Sequence, residues 1–232
     1  MSFPMAHDEI EILYEDNALL VVNKPAGMLT QSDKTGDRTI IEPARRHIIG
    51  ARGESGGNPF VVPVHRLDRP TSGVLILARK TKVASRLGEQ FRENLVQKTY
   101  WGLVEGRPPE RRMELEHWLL KDRDANRTSV VPADTPGAVP AELSCRVLEK
   151  LGGRTMLEVR PVTGRSHQIR VQLAEIGCPI VGDMRYGSKK ALGHMIALHC
   201  RSLSFTHPIT EGKVHVVAEL PEEWKSVLKA ES

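Results

Sequence analysis

Apolar residues in this chain gather into short runs. Leu19 to Val22 and Val74 to Ala78 are four and five residues long and end at Asn23 and Arg79. That is the pattern of buried strands. The first run, extended back to Ala18, ends at a Lys24-Pro25-Ala26-Gly27 turn. Lys98 to Gly106 alternates as a strand. Pro140 to Leu151 and Thr155 to Arg160 read as a hairpin joined at Gly152-Gly153, and two or three further strands fall within 195–219. Helical spacing appears three times. Thr39 to Ile49 forms a short helix with Pro43 in its first turn, where proline is tolerated. Thr81 caps a helix to about Asn94 with Val83, Leu87, Gln90 and Phe91 near one face, and Ser166 caps a helix with an Ile169, Leu173 and Ile176 stripe, closed by Gly177. Residues 31–38 and 50–59 are polar or Gly-rich loops. Arg107 to Gly137 is rich in Pro, Arg and Asp, interrupted by Trp118-Leu119-Leu120, and reads as a long loop, either functional or mobile. There is no internal repeat. Strands and helices mixed without a regular βαβ rhythm predict an α+β fold.

Composition narrows the classes. At 232 residues and 40% hydrophobic content the chain can bury a sizeable core, while 4% aromatic content argues against a surface built on many stacked bases. Cys145, Cys178 and Cys200 form no CxxC pair and sit among apolar neighbours, as reduced core residues of a cytoplasmic protein do. His194 and His199 are five apart, not the four of a zinc helix, and no metal is expected. No apolar run approaches the ~20 residues of a membrane helix. The net charge of +4 is unevenly placed: residues 24–201 hold 30 of the 33 Lys and Arg against 19 of the 29 acids, and both ends are acidic. A basic centre suits a polyanion and is equally compatible with a well-solvated surface.

The most informative segment is His65-Arg66-Leu67-Asp68-Arg69-Pro70-Thr71-Ser72-Gly73. Pro70 pushes Arg69 out of the helical region and Gly73 lets the chain turn into the Val74 to Ala78 run. Asp68 therefore sits on a stiff bend, expected between the guanidinium groups of Arg66 and Arg69. Neighbouring positive charge keeps a carboxylate ionised, which suits a nucleophile better than a proton donor. Taken alone, an Arg-x-Asp pair is also what a structural turn uses.

The full nine-residue string resembles the catalytic motif of the RluA-type RNA pseudouridine synthases. Agreement continues in order through Asn23-Lys24-Pro25-Ala26-Gly27, Lys98-Thr99-Tyr100, Gly164-Arg165-Ser166-His167-Gln168-Ile169-Arg170-Val171, Gly182-Asp183-x-x-Tyr186-Gly187, Leu198-His199 and Phe205-Thr206-His207-Pro208. Ordered agreement at this many places is specific. The resemblance implies a single pseudouridine synthase catalytic domain over 1–232, without an S4 domain. Its fold is a long bent mixed β-sheet flanked by helices, with a central basic cleft. The implied activity is isomerisation of uridine in a structured ribosomal or transfer RNA stem-loop, with base flipping and no cofactor. The protein is expected to be a cytoplasmic monomer, with no membrane and no obligate protein partner. The implied catalytic set is Asp68 as the reactive carboxylate, Tyr100 against the target base, and Arg170 as the ion-pair partner of Asp68. Tyr100 also fits an ordinary strand residue, and Arg170 a solvated helix arginine. Arg66, able to fill the gap left by a flipped nucleotide, Arg165 and His167 at a helix start, and His65 and Lys98 are candidate RNA contacts. The 107–137 stretch is the candidate RNA-facing insertion. Gln172, where many members have histidine, and Trp101, where a smaller residue is usual, depart from the pattern. Two other readings remain: a non-catalytic RNA-binding or folding factor on the same fold, and an N-glycosidase, which would want a second carboxylate.

Overall fold

The computed structural model describes residues 10–33, 36–52 and 57–229. Residues 34–35 and 53–56 of the two expected polar loops, and residues 1–9 and 230–232 of the two acidic ends, lie outside the described residues. In chain order the elements are β1 (Glu11–Glu15), β2 (Leu19–Lys24), α1 (Ile41–Arg52), β3 (Val62–Pro63), β4 (Ser72–Ala78), α2 (Thr81–Arg92), β5 (Gln97–Glu105), β6 (Arg112–Asp122), β7 (Arg127–Val131), β8 (Val139–Leu151), β9 (Arg154–Pro161), α3 (Gln168–Glu175), a 3-10 turn at Met184–Tyr186, β10 (Leu198–Thr206), β11 (Lys213–Val217) and α4 (Glu222–Lys229). This is the expected α+β class. Contacts divide the chain into two compact units, Met1–Gln97 with Ser202–Glu219, and Lys98–Arg201 with Leu220–Ser232.

In the first unit β2 lies antiparallel between β1 and β4, in a register running from Leu19 opposite Ala78 to Lys24 opposite Gly73. Leu19 to Val22 and Val74 to Ala78 are wholly buried, so both faces of these strands are covered and no alternation shows in the sequence. Gly73 has φ +115°, the left-handed conformation that brings the motif loop into β4. A capping box starts α1: Glu42 Oε2 accepts from the Thr39 N–H and hydroxyl, and Thr39 Oγ1 accepts from the Ile41 N–H. The start of α2 differs from expectation. Its N-cap is Lys80, without a side-chain cap, and Thr81 is already helical. Val83 and Leu87 form its buried face. Gln90 exchanges two hydrogen bonds with the Thr206 backbone, fixing α2 to β10.

In the second unit β5, β9, β8, β6 and β7 follow one another in antiparallel pairs. The β8–β9 hairpin turns at Gly152-Gly153 as expected. Parallel pairing within the units occurs at the isolated bridges Leu29–Thr39 and Gly182–Ala191. The 107–137 stretch is not a long loop: β6 and β7 occupy most of it. Met113, Leu115 and Leu119 are buried while Glu114, Glu116 and Trp118 are exposed, a strand alternation that the surrounding Pro and Arg obscured. Leu119 packs with Ala141, Val171 and Tyr186. Helix α3 also departs from the expected amphipathic stripe, because Gln168 through Leu173 are all buried. Its N-cap is His167, at φ +54°, not Ser166. Gln172 ties the helix to the sheet by donating from Nε2 to the Leu115 and Ala141 carbonyls, each at 3.1 Å. The helix ends at Gly177 through bonds from Gly177 N–H to Ala174 and from Cys178 N–H to Leu173.

The loop after α3 is held closely. Gly182 N–H donates to Ser188 Oγ, which bonds Glu105 Oε1 at 2.7 Å. Gly182 has φ +89°, and a Cβ there would lie 2.9 Å from Leu192 Cγ and 3.0 Å from the Met195 carbonyl. Gly182→Ala is expected to lower stability by roughly 1–3 kcal/mol from backbone strain alone, with the overlap adding to it. Urea unfolding should show a lower midpoint at unchanged slope, and a wild-type midpoint would mean that the backbone at 182 and the turn at 192–195 both yield freely.

Candidate active site

The nine-residue motif loop is fastened to the turn that follows β2. Thr30 Oγ1 donates to the Leu67 carbonyl at 2.9 Å and accepts from the Leu67 N–H. Gly27 N–H donates to the Arg69 carbonyl at 2.8 Å, and Arg69 Nε returns a bond to the Gly27 carbonyl. Asp68 thus lies between two residues whose backbones are both pinned. Its own carbonyl accepts from the Thr71 N–H, closing the bend at Pro70. The loop is fixed before any substrate arrives.

Lys24 is the centre of this fastening. Its side chain is fully buried, and Nζ donates to the Pro25 and Met28 carbonyls at 2.8 Å each and, at 3.4 Å, to that of Arg69. Burial pulls its pKa down to about 7, against the pull of the Asp68 carboxylate, which favours the charged form. The positive group facing Asp68 within this unit is therefore an ammonium that the sequence reading quoted without a role. The expected guanidinium clamp is not formed. Arg69 turns to Asp37, Nη1 to Oδ2 at 2.7 Å, and Arg66 is exposed, with no hydrogen bond or ion pair among the described residues. Adjacent residues of an extended segment point apart, so Arg69, although next to Asp68 in sequence, need not be its partner. His65 stacks on Phe91, ring centroids 4.6 Å apart, and its Nε2 accepts the Ile76 N–H, holding the loop's first residue to β4.

The other candidates belong to the second unit. Lys98 and Tyr100 are two residues apart on β5 and share a strand face, with Tyr100 opposite Val159. Burial lowers the pKa of Lys98, offset in part by Cys200. Arg165 is exposed and donates from Nε to the Pro140 carbonyl. His167 and Arg170 converge on Tyr186. His167 Nδ1 is 2.8 Å from Tyr186 Oη, and the Arg170 guanidinium carbon is 5.1 Å from the ring centroid. Arg170 is buried, as its place in α3 implied, and it has a carboxylate partner in its own unit, Asp183. Among the described residues no group of three or more His, Cys, Asp or Glu is arranged to hold a metal ion. The three cysteines are buried and form no disulfide among the described residues, and burial pushes the Cys145 thiol up to about 11. No helix among the described residues is long and apolar enough to cross a membrane.

The family model for RNA pseudouridylate synthase matches residues 18–175, which takes in the Lys24 turn, the Asp68 loop, β5 and α3. The chain belongs to the RNA pseudouridylate synthase family. It is 37% identical, over 94% of its own length and 69% of the relative's, to the ribosomal large subunit pseudouridine synthase C of Buchnera aphidicola subsp. Baizongia pistaciae. It is 32% identical to the tRNA pseudouridine synthase C of Haemophilus influenzae, over 94% of this chain and 96% of that one. Human RNA pseudouridylate synthase domain containing 4 superposes with a TM-score of 0.76 at 25% identity, covering 91% of this chain and 89% of that one. The fold is that of the pseudouridine synthases, and the protein is an RNA pseudouridine synthase, an isomerase acting on RNA.

Three residues that hold candidate side chains or their loops within their own units went unassigned in the sequence: Lys24, Thr30 and Asp183. Lys24 and Asp183 stood inside quoted motifs. Their signal is electrostatic: a lysine between strand and proline, and an arginine inside an apolar helix, both require buried partners.

The Lys24 burial has a sign that can be tested. Between about pH 7, where the folded lysine releases its proton, and its ordinary value of 10.5, the unfolded chain holds a proton that the native one lacks. Stability then rises with pH by up to ~1.4 kcal/mol per unit. Lys24→Met removes this slope. Urea unfolding from pH 6 to 9.5 should show wild type gaining steadily on the mutant above pH 7, whereas a gap independent of pH would mean that Lys24 keeps its proton in the fold.

Proposed function

We propose that this synthase isomerises specific uridines in structured ribosomal or transfer RNA in the cytoplasm, using Asp68 as nucleophile on a nucleotide turned out of its stack. The reaction breaks the bond between uracil N1 and the sugar C1′ and forms one from C5 to C1′; N1 gains a proton and C5 loses one. Neither water nor an electron acceptor is consumed. What catalysis needs is an ionised carboxylate held rigidly, a group to attend the base, and fixed positive charge. Asp68 meets the first need, and the observation that carries the reading is its placement on a loop pinned at Leu67 and Arg69 with the Lys24 ammonium facing it. Tyr100 attends the base and Arg170 supplies counter-charge to Asp68. Arg66, exposed and uncommitted among the described residues, takes the place of the flipped nucleotide, while Arg165, His167, His65 and Lys98 serve RNA binding. Relatives named for ribosomal and for transfer RNA support both substrate classes.

Carbodiimide treatment of RNA followed by primer extension, with and without the gene, tests the reading and locates the modified uridine. Asp68→Asn should yield no pseudouridine while RNA affinity stays within roughly a few fold, since shape and phosphate contacts are kept. Product from purified Asp68→Asn would end the nucleophile assignment, and unmodified RNA throughout would favour a binding or folding role. Arg66→Ala should weaken productive binding at unchanged melting temperature. An early-melting variant with normal turnover would make Arg66 structural.

A further inference from the structure

Arg170 is held on two sides by groups to which no part in the reaction has been given. Asp183 takes one edge of the guanidinium: Nε to Oδ2 at 2.6 Å and Nη2 to Oδ1 at 2.9 Å. Both side chains are almost wholly excluded from solvent, at 6% and 1% exposure. The Tyr186 ring lies under Arg170, and a second guanidinium, that of Arg127, is 5.4 Å from the same ring. The ring itself is fixed at its far end, because Tyr186 Oη accepts the Thr128 N–H at 2.9 Å and shares a 2.8 Å bond with His167 Nδ1. Asp183 is equally fixed. Its N–H donates to the Ile180 carbonyl, its carbonyl accepts from the Tyr186 and Ser188 N–H groups, and Gly182 beside it is bonded to Ser188.

A guanidinium has five N–H donors in one plane. The pair with Asp183 uses the Nε and one Nη2 donor, so it engages one edge of the group and leaves the far edge turned away from Asp183. It also fixes the plane of the group, by two parallel bonds on the edge and the Tyr186 ring below. A buried arginine needs only one carboxylate to be neutralised. A seat that fixes the plane as well is worth more where the orientation of the other edge matters.

We propose that Asp183 and Tyr186 are positioning residues that orient Arg170 for the isomerisation, Asp183 by its edge and Tyr186 by its face, with His167 and Thr128 steadying the ring. The proposal rests on the reading of Arg170 as a participant in the reaction. Neither residue touches the nucleotide, and the loss of Asp183, which has no bond to an RNA-binding candidate among the described residues, acts on turnover and not on RNA binding.

Single-turnover rates and RNA affinities of purified variants test this. Asp183→Asn keeps the shape but removes one acceptor and the charge, and should slow turnover roughly 10- to 100-fold, the effect of a small misalignment, with RNA affinity unchanged within about twofold. Asp183→Glu should recover part of the loss. Tyr186→Leu, which removes the ring, should slow turnover more than Tyr186→Phe, which removes only the hydroxyl. The decisive comparison is a double-mutant cycle with Arg170→Lys. If Asp183 acts through Arg170, adding Asp183→Asn to Arg170→Lys costs about twofold or less.

Fully additive losses, or a folded Asp183→Asn with wild-type turnover, would overturn the proposal while leaving Arg170 in place. Wild-type turnover in Arg170→Lys and Arg170→Ala would overturn the reading beneath it. Should Asp183→Asn fail to fold, Tyr186→Leu decides by the same criteria, alone and in the Arg170→Lys background.

Discussion

A single buried ammonium, that of Lys24, determines where the motif loop can go. Bringing a charged group out of water is costly unless its donors are satisfied, and Lys24 finds its acceptors in the carbonyls of Pro25, Met28 and Arg69. Two of these come from its own turn and one from the loop carrying Asp68. The same group faces the Asp68 carboxylate across that junction. Satisfying the lysine and placing the aspartate are therefore one requirement. The Thr30 and Gly27 bonds to Leu67 and Arg69 then remove the remaining freedom of the loop.

Most of the fold was legible where local signals were strong. The buried runs became β2 and β4, the Gly152-Gly153 dipeptide marked the β8–β9 turn, and Thr39 with Pro43 announced α1. The errors have physical causes. At the start of α2 and α3 the residue type favoured Thr81 and Ser166 as caps, but backbone bonds put the first helical turn elsewhere, and Gln168 took over at α3 by accepting from Arg165 N–H and Thr163. Over 107–137, punctuating residues outweighed a real two-residue period. Tertiary burial against α3, through Leu119 and Val130, decides that segment.

The candidate site was named by motif, and the groups that hold its side chains were not. Asp68, Tyr100 and Arg170 could be singled out because ordered strings name them; the groups beside them could not. Arg69 is adjacent to Asp68 in sequence and bonds Asp37 instead, 32 positions away. Arg170 meets Asp183 through a loop that leaves α3 and returns. Charge pairing is a matter of three-dimensional reach, and a one-dimensional reading ranks neighbours by the wrong distance. What the sequence does carry is demand: a lysine or arginine set among apolar residues announces that an acceptor exists.

The two compact units interleave along the chain, and this bears on how the protein is made. The first unit draws on residues up to Gln97 and then on Ser202–Glu219, so its contacts can be completed only after the intervening hundred or so residues have left the ribosome. At ordinary elongation rates that interval is on the order of ten seconds. Throughout it the apolar strands β2 and β4 exist without β10 and β11, and the Lys24 turn and Asp68 loop are already synthesised. Local bonds such as those of the Asp16 turn at Ala18 and Leu19 are available from the start. Nascent chains of this synthase therefore depend on short-range hydrogen bonds, and on whatever shields an unfinished sheet, for longer than a protein with contiguous units would.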